Sequence, residues 1–134
     1  MPAMRKKPEP QTFEVLSTEQ VTQNMRRVSI GGNVMADFPT RQDGGYVKLL
    51  LPAGDGSSRP LMRTYTIRQQ TPQKLDIDFA LHGDHGEGGP AVRWARNVRP
   101  GDKIRVGGPG PAKPFVPGAD WYFAIGDMTA LPAI

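Results

Sequence analysis

Between Lys74 and His82 the chain alternates apolar and polar residues without a break. Leu75, Ile77, Phe79 and Leu81 fall on one face, and Asp76, Asp78, Ala80 and His82 on the other. A period of two marks a half-buried β-strand, because successive side chains leave a strand in opposite directions. Five more short runs read the same way: Phe13–Leu16, Met25–Ile30, Tyr46–Leu51, Met62–Gln69 and Asp102–Val106. Breaks at Gly31-Gly32, Asp43-Gly44-Gly45, Pro52 and Arg99-Pro100-Gly101 separate several of them, and 16 Gly and 14 Pro in 134 residues suit a chain made of strands and tight turns. The spacing predicts a mainly β fold, a small six-stranded antiparallel barrel.

One helix interrupts the series. It starts at Pro90, a residue suited to the first helical position, after Gly88-Gly89. Ala91, Trp94, Ala95 and Val98 follow at i, i+3, i+4 and i+7 and form an apolar face, which leaves Arg93 and Arg96 off it and Arg96 toward solvent. Farther on, Trp121–Ile125 is a continuous apolar run that reads as a strand buried on both faces. Gly126-Asp127-Met128-Thr129 then leads into a helix-like start, the order in which a nucleotide-binding α/β domain opens. The expected organisation is a loose basic segment over residues 1–11, the barrel over 12–118, and the truncated beginning of an α/β domain over 119–134.

The chain contains no Cys, which excludes disulfides, thiolate zinc sites, Cys-ligated iron–sulfur clusters and thiol catalysis. Any redox chemistry therefore needs an organic cofactor. A net charge of +4 favours an anionic partner. No apolar run reaches the roughly 20 residues of a transmembrane helix, and no apolar stretch follows the basic amino end as in a signal peptide, so a cytoplasmic protein is expected.

Three segments carry candidate chemistry. In Arg63-Thr64-Tyr65-Thr66-Ile67-Arg68, Arg63 and Tyr65 share a strand face with Thr66 beside them. A flavin dinucleotide needs a cation for its pyrophosphate, an aromatic plane for its ring and a small hydrogen-bonding group near N5. The hexapeptide alone is no less compatible with an amphipathic strand bearing a surface Arg and a half-buried Tyr. The glycines before Pro90 would leave backbone N–H groups free for a phosphate at the helix start, although such starts are common. The loop His82-Gly83-Asp84-His85-Gly86-Glu87 offers two imidazoles and two carboxylates, but no further His completes a first coordination sphere, and a loop role is the better reading. No metal site and no catalytic acid or base is assigned. Arg26, Arg27, Arg41, Lys48, Arg93, Arg96, Arg99, Lys103 and Arg105 read mostly as solvated surface. A basic barrel gripping single-stranded nucleic acid remains the alternative from another class, disfavoured by an aromatic share of 7%.

Taken in order, Arg63–Arg68, Asp76–Gly83, Gly89–Ala95, Pro100-Gly101-Asp102 and Gly126–Ile134 resemble the siderophore-interacting protein family, a branch of the ferredoxin-reductase-like flavoenzymes. The resemblance spans about Phe13 to Ile134. It implies a six-stranded Greek-key barrel binding FAD, with one phosphate-binding helix, followed by an NAD(P)H-binding α/β domain. By motif position, Arg63 would contact the pyrophosphate, Tyr65 would pack on the flavin ring and Thr66 would lie near its N5 edge. Asp78, Ala80 and His82 would line the cofactor, while Gly89, Ala91 and Trp94 would form the phosphate-binding helix start. Gly126, Asp127 and Thr129 match the opening of the nicotinamide-nucleotide domain. Met128 stands where the family usually carries an acidic residue, and the loop 84–88 is slightly long.

The implied function is NAD(P)H-dependent reduction of Fe(III) held in a siderophore, a small anionic chelate. Neither nucleic acid nor a membrane span is among the expected partners. A flavin reductase with another acceptor is the close enzymatic alternative. The family's second domain does not follow Ile134, so these 134 residues alone are expected to be inactive with NAD(P)H.

Overall fold

The computed structural model describes residues 7–83 and 88–134. Seven strands and one α-helix follow in order: β1 (Gln11–Thr22), β2 (Met25–Gly31), β3 (Tyr46–Leu51), β4 (Leu61–Thr66), β5 (Gln69–Gln70), β6 (Lys74–Ala80), α1 (Pro90–Asn97) and β7 (Lys103–Gly110). All pair antiparallel in one sheet of order β4-β3-β7-β1-β2-β6-β5.

The two ends of that order are consecutive in sequence. Only Ile67-Arg68 separates β4 from β5, so at this corner the sheet rolls back toward its other end. The join is visible in two backbone bonds: Ile67 N–H donates to the Gly45 carbonyl (2.8 Å), and Arg68 N–H donates to that of Asp76 (2.9 Å). The expected fourth run, Met62–Gln69, is thus one length of chain that leaves β3 at Ile67 and joins β6 at Arg68. That switch of partner splits it and makes seven strands where six were expected.

The core lies inside the roll. Phe13, Val15, Val28, Ile30, Val47, Leu49, Leu51, Ile67, Leu75, Ile77, Phe79, Ile104 and Val106 are all buried, and Ala91 and Ala95 of the helix, with Val98 just after it, close one side. Removing such surface from water is the main stabilising term, roughly 25 cal/mol per Å2. Glycine occupies position 31, the last of β2, for a steric reason: a Cβ there would lie 2.3 Å from the Gln73 carbonyl oxygen. The alternation in β6 is realised as read, with Leu75, Ile77 and Phe79 inside. Asp76, on the other face, is nevertheless buried; it accepts a hydrogen bond from Ser29 Oγ at 2.6 Å and pairs with Lys74 at 3.1 Å.

The expected strand Trp121–Ile125 is not formed. A strand needs a partner for its alternating N–H and C=O groups, and no described residue pairs with this run. Trp121, Phe123 and Ile125 stand 74%, 75% and 81% exposed. Beyond it, the expected helix start is a single 3-10 turn at Leu131–Ala133. No helix among the described residues is long and apolar enough to cross a membrane.

Candidate functional site

β4 and β6 bring the two chemistry-bearing segments against each other. Tyr65, half-buried, lays its ring on Phe79 with centroids 4.4 Å apart, and Phe79 in turn meets Trp94 of α1 at 5.6 Å. Burial pushes the Tyr65 phenol above its ordinary pKa, against a smaller downward pull from the charge of Arg63. The ring therefore presents a neutral aromatic surface at physiological pH.

Beside it opens a cleft of about 310 Å3 lined by Thr64, Tyr65, Thr66, Asp78, Ala80, His82, Thr129 and Pro132. That volume is at the lower end of the roughly 300–1,000 Å3 of small-molecule sites. Ala80, His82 and Thr129 also border a larger cleft of about 1040 Å3, which continues past Gly83, Arg96, Asp127 and the β1–β2 turn at Gln23-Asn24. Six of the twelve expected site residues (Tyr65, Thr66, Asp78, Ala80, His82 and Thr129) thus meet in one cleft, and Asp127 borders the adjoining one.

The rest are placed differently. Arg63 is exposed on β4, and among the described residues its Nη1 donates only to the neighbouring Met62 carbonyl at 2.9 Å. The Ala91 side chain is buried in the core and Trp94 packs against the core, so Ala91 can offer a ligand only its backbone. Gly126 is exposed. Asp127 Oδ1 accepts bonds from the Thr129 hydroxyl (2.5 Å) and from the Thr129 and Ala130 N–H groups (2.9 and 3.2 Å). These bonds, led by the hydroxyl, hold its carboxyl below the ordinary pKa and fix the turn that carries Thr129. Asp84, His85 and Glu87 of the metal alternative lie outside the described residues.

Two cations expected on the solvent side are not there. Arg96 is half-buried at the larger cleft, its Nη2 donating to the Gly83 carbonyl at 3.1 Å. Gly83 follows β6, and its carbonyl meets Arg96 in the last turn of α1, which helical periodicity alone does not reveal. Arg27 is directly opposite Asp78 across β2–β6 and grips it with two bonds of 2.8 and 3.2 Å. Arg68 adds a third contact to Asp78 at 3.4 Å. Sequence reasoning assigned no role to Thr64, Pro132, Arg27 or Arg68. Thr64 and Arg68 lie within the Arg63–Arg68 hexapeptide itself, whereas Arg27 carried no signal without the strand register.

The start of α1 provides a test for a phosphate. Gly88 has φ +106°, which favours glycine for conformational reasons. Gly89 is different: its φ of −71° and ψ of 175° suit any residue, and a Cβ there would meet no atom within 4 Å. Among the described residues nothing requires glycine at 89, so the position is open to a group approaching from outside. No side chain of the described residues caps the helix, and Arg93 N–H donates to the Gly89 carbonyl, which leaves the N–H groups of Ala91 and Val92 in the first turn for a ligand. A pyrophosphate and an aromatic ring system fit these residues.

Residues 14–58 and 53–113 match the model of the siderophore-interacting FAD-binding domain. The chain belongs to the siderophore-interacting FAD-binding domain family. FAD is accordingly its cofactor. Among siderophore-interacting relatives, SipS from Aeromonas hydrophila superposes with a TM-score of 0.75 at 40% identity, over 93% of this chain and 51% of SipS. Ferric vibriobactin reductase ViuB of Vibrio cholerae is 34% identical over 93% of this chain and 52% of its own length. The NADPH-dependent ferric-chelate reductase of Escherichia coli is 27% identical over 90% and 52%. The chain spans about half the length of the curated relatives it matches. Solved reductases at 17% identity share the ferredoxin-reductase-like fold, with TM-scores of 0.63 and 0.61.

Proposed function

We propose that this chain is the FAD-binding part of an NAD(P)H-dependent ferric-siderophore reductase acting in the cytoplasm. The observation that carries the reading is the cleft uniting Tyr65, Thr66, Asp78, Ala80 and His82 in a chain 34% identical to a ferric vibriobactin reductase. Bound FAD would supply the means of accepting a hydride from NAD(P)H and releasing electrons singly to Fe(III).

The protein's part is to bind, orient and tune. Tyr65 offers a ring face fixed from behind by Phe79, so the plane on which a flavin ring packs is set before binding. Thr66 places a hydroxyl at the edge of that surface, and His82 offers a ring N–H or a lone pair from the end of β6. The uncapped start of α1 at Gly89 and the guanidinium of Arg63 provide positive groups for the pyrophosphate. Thr129 reaches the cleft from the segment where the resemblance expects the nicotinamide domain to open. No acid–base residue is required, because the acceptor receives electrons rather than a proton. Hard oxygen ligands hold ferric iron more tightly than ferrous, so reduction frees the metal. We place residues 12–118 in the flavin domain and 119–134 at the boundary of the nicotinamide domain.

The test is to mix the FAD-loaded full-length protein with NADPH and a ferric siderophore and trap Fe(II) with a colorimetric chelator. Enzyme-like accumulation of Fe(II) supports the proposal. Flavin bleaching by NADPH without Fe(II) formation would instead make this a reductase with another acceptor.

A further inference from the structure

Among the described residues, Asp78 is the only acidic one bordering the cleft that holds Tyr65 and Thr66, and two arginines grip its charge. Arg27 Nε and Nη2 approach its two oxygens at 2.8 and 3.2 Å, and Arg68 Nε lies 3.4 Å from Oδ2. The Asp78 side chain is only 12% exposed, and it separates this cleft from a neighbouring one lined by Arg27 and Arg68. On the same strand, Asp76 takes Lys74 at 3.1 Å. Three cations (Arg27, Arg68, Lys74) thus lie within ion-pair distance of two carboxylates (Asp76, Asp78), and the exposed Glu19, opposite Arg27 on β1, adds a more distant negative charge. Neither arginine has another ion-pair partner among the described residues.

We propose that Arg27 and Arg68 set the charge beside the flavin ring and so raise its reduction potential. This rests on the reading that the Tyr65–Thr66 cleft holds the isoalloxazine. Taking up two electrons and one proton leaves an isoalloxazine with one net negative charge. Each guanidinium at the wall of its cleft favours that reduced form over the neutral oxidised one, and each nearby carboxylate opposes it. Arg27 supplies the charge from β2, and its bidentate grip holds the Asp78 carboxylate in the sheet. Arg68 supplies it from the link where β4 passes to β5, two residues beyond Thr66. The flavin's driving force toward an acceptor is therefore written partly in residues that need not touch it.

The test is an equilibrium reduction of the FAD-loaded protein with dithionite against a dye of known potential, read from the two absorbance spectra. Arg27→Gln and Arg68→Gln are each expected to shift the reduction equilibrium about tenfold toward oxidised flavin, which is ~30 mV for a two-electron couple. Asp78→Asn should shift it in the opposite direction, Arg27→Lys should restore the wild-type value, and Lys103→Gln, whose partner is Glu14, should leave it unchanged. Should Arg27→Gln fail to fold, Arg68→Gln carries the test, since that side chain is 40% exposed. Unchanged potentials in the glutamine variants overturn the inference, as does a shift of the same sign for Asp78→Asn. Failure of the wild-type protein to bind FAD overturns the cofactor reading instead, and the two failures are distinct.

Discussion

Replacing Gly89 with Ser separates what the chain needs from what its ligand needs. In the free protein the Ser side chain enters open space, on a backbone conformation it adopts without strain. Its hydroxyl accepts a hydrogen bond from a first-turn N–H of α1, which no side chain of the described residues caps. Better capping contributes a few tenths of a kcal/mol, and reduced freedom of the unfolded chain contributes about as much again, so folding is stabilised by ~0.5–1 kcal/mol. For a chain of this length that raises Tm by about 2–4 °C. The same hydroxyl occupies the N–H groups and the space on which a phosphate would settle. Losing one hydrogen bond to a charged group costs about 1.5–3 kcal/mol, a weakening of FAD binding of roughly ten- to hundredfold. Differential scanning fluorimetry of the apoprotein and flavin-fluorescence titration give the two numbers separately. Unchanged FAD affinity at raised stability would show that the pyrophosphate does not lie at this helix start. A loss of apoprotein stability would show that the fold itself requires glycine here.

Arg63→Ala should weaken FAD binding by about 1.5–3 kcal/mol in the same titration. It should leave thermal stability within ~0.5 kcal/mol, because among the described residues the exposed guanidinium donates only to its neighbour's carbonyl. Phe79→Ala removes a fully buried ring from between Tyr65 and Trp94 and should cost about 3–5 kcal/mol of stability by urea titration. Asp127 titrates below the ordinary aspartate value, so its ionised form stabilises the turn; that contribution is present above the unfolded pKa and is lost as pH falls through the lower folded one. The Thr129 amide resonance should report a midpoint below that of an unperturbed aspartate, and an ordinary midpoint would contradict the hydrogen bonds described.

What the sequence disclosed was governed by how local each feature is. β6 was legible because its pattern is written within nine residues, and α1 because Pro90 and an apolar face mark it. The ending of β7 was not: Gly107–Gly110 lacks β-forming residues and is held as a strand only by pairing with Tyr46 and Lys48 of β3. Trp121–Ile125 failed in the other direction, having the composition of a strand without a partner. At the site, periodicity put Asp78, Ala80 and His82 on one face of a strand, while the resemblance to the family, not periodicity, singled them out with Tyr65 and Thr66 as cofactor-lining. The ion pairs around Asp78 were not legible, since they depend on the register that sets Arg27 opposite Asp78 and Ser29 opposite Asp76. A shift of one residue would have turned those arginines toward another face. Arg96 is the counterpart on the helix, where only the path of the chain after β6 reveals what its guanidinium meets.

The central claim is that one site joins an aromatic cleft at Tyr65 to a pyrophosphate anchor at Arg63 and Gly89. Parallel titrations of the apoprotein with FAD and FMN test it most directly, because both carry the same ring and only FAD has the pyrophosphate. A yellow complex is expected, with FAD bound more tightly than FMN by at least about tenfold, the worth of one charge-assisted hydrogen bond. Equal affinity for the two flavins would contradict it.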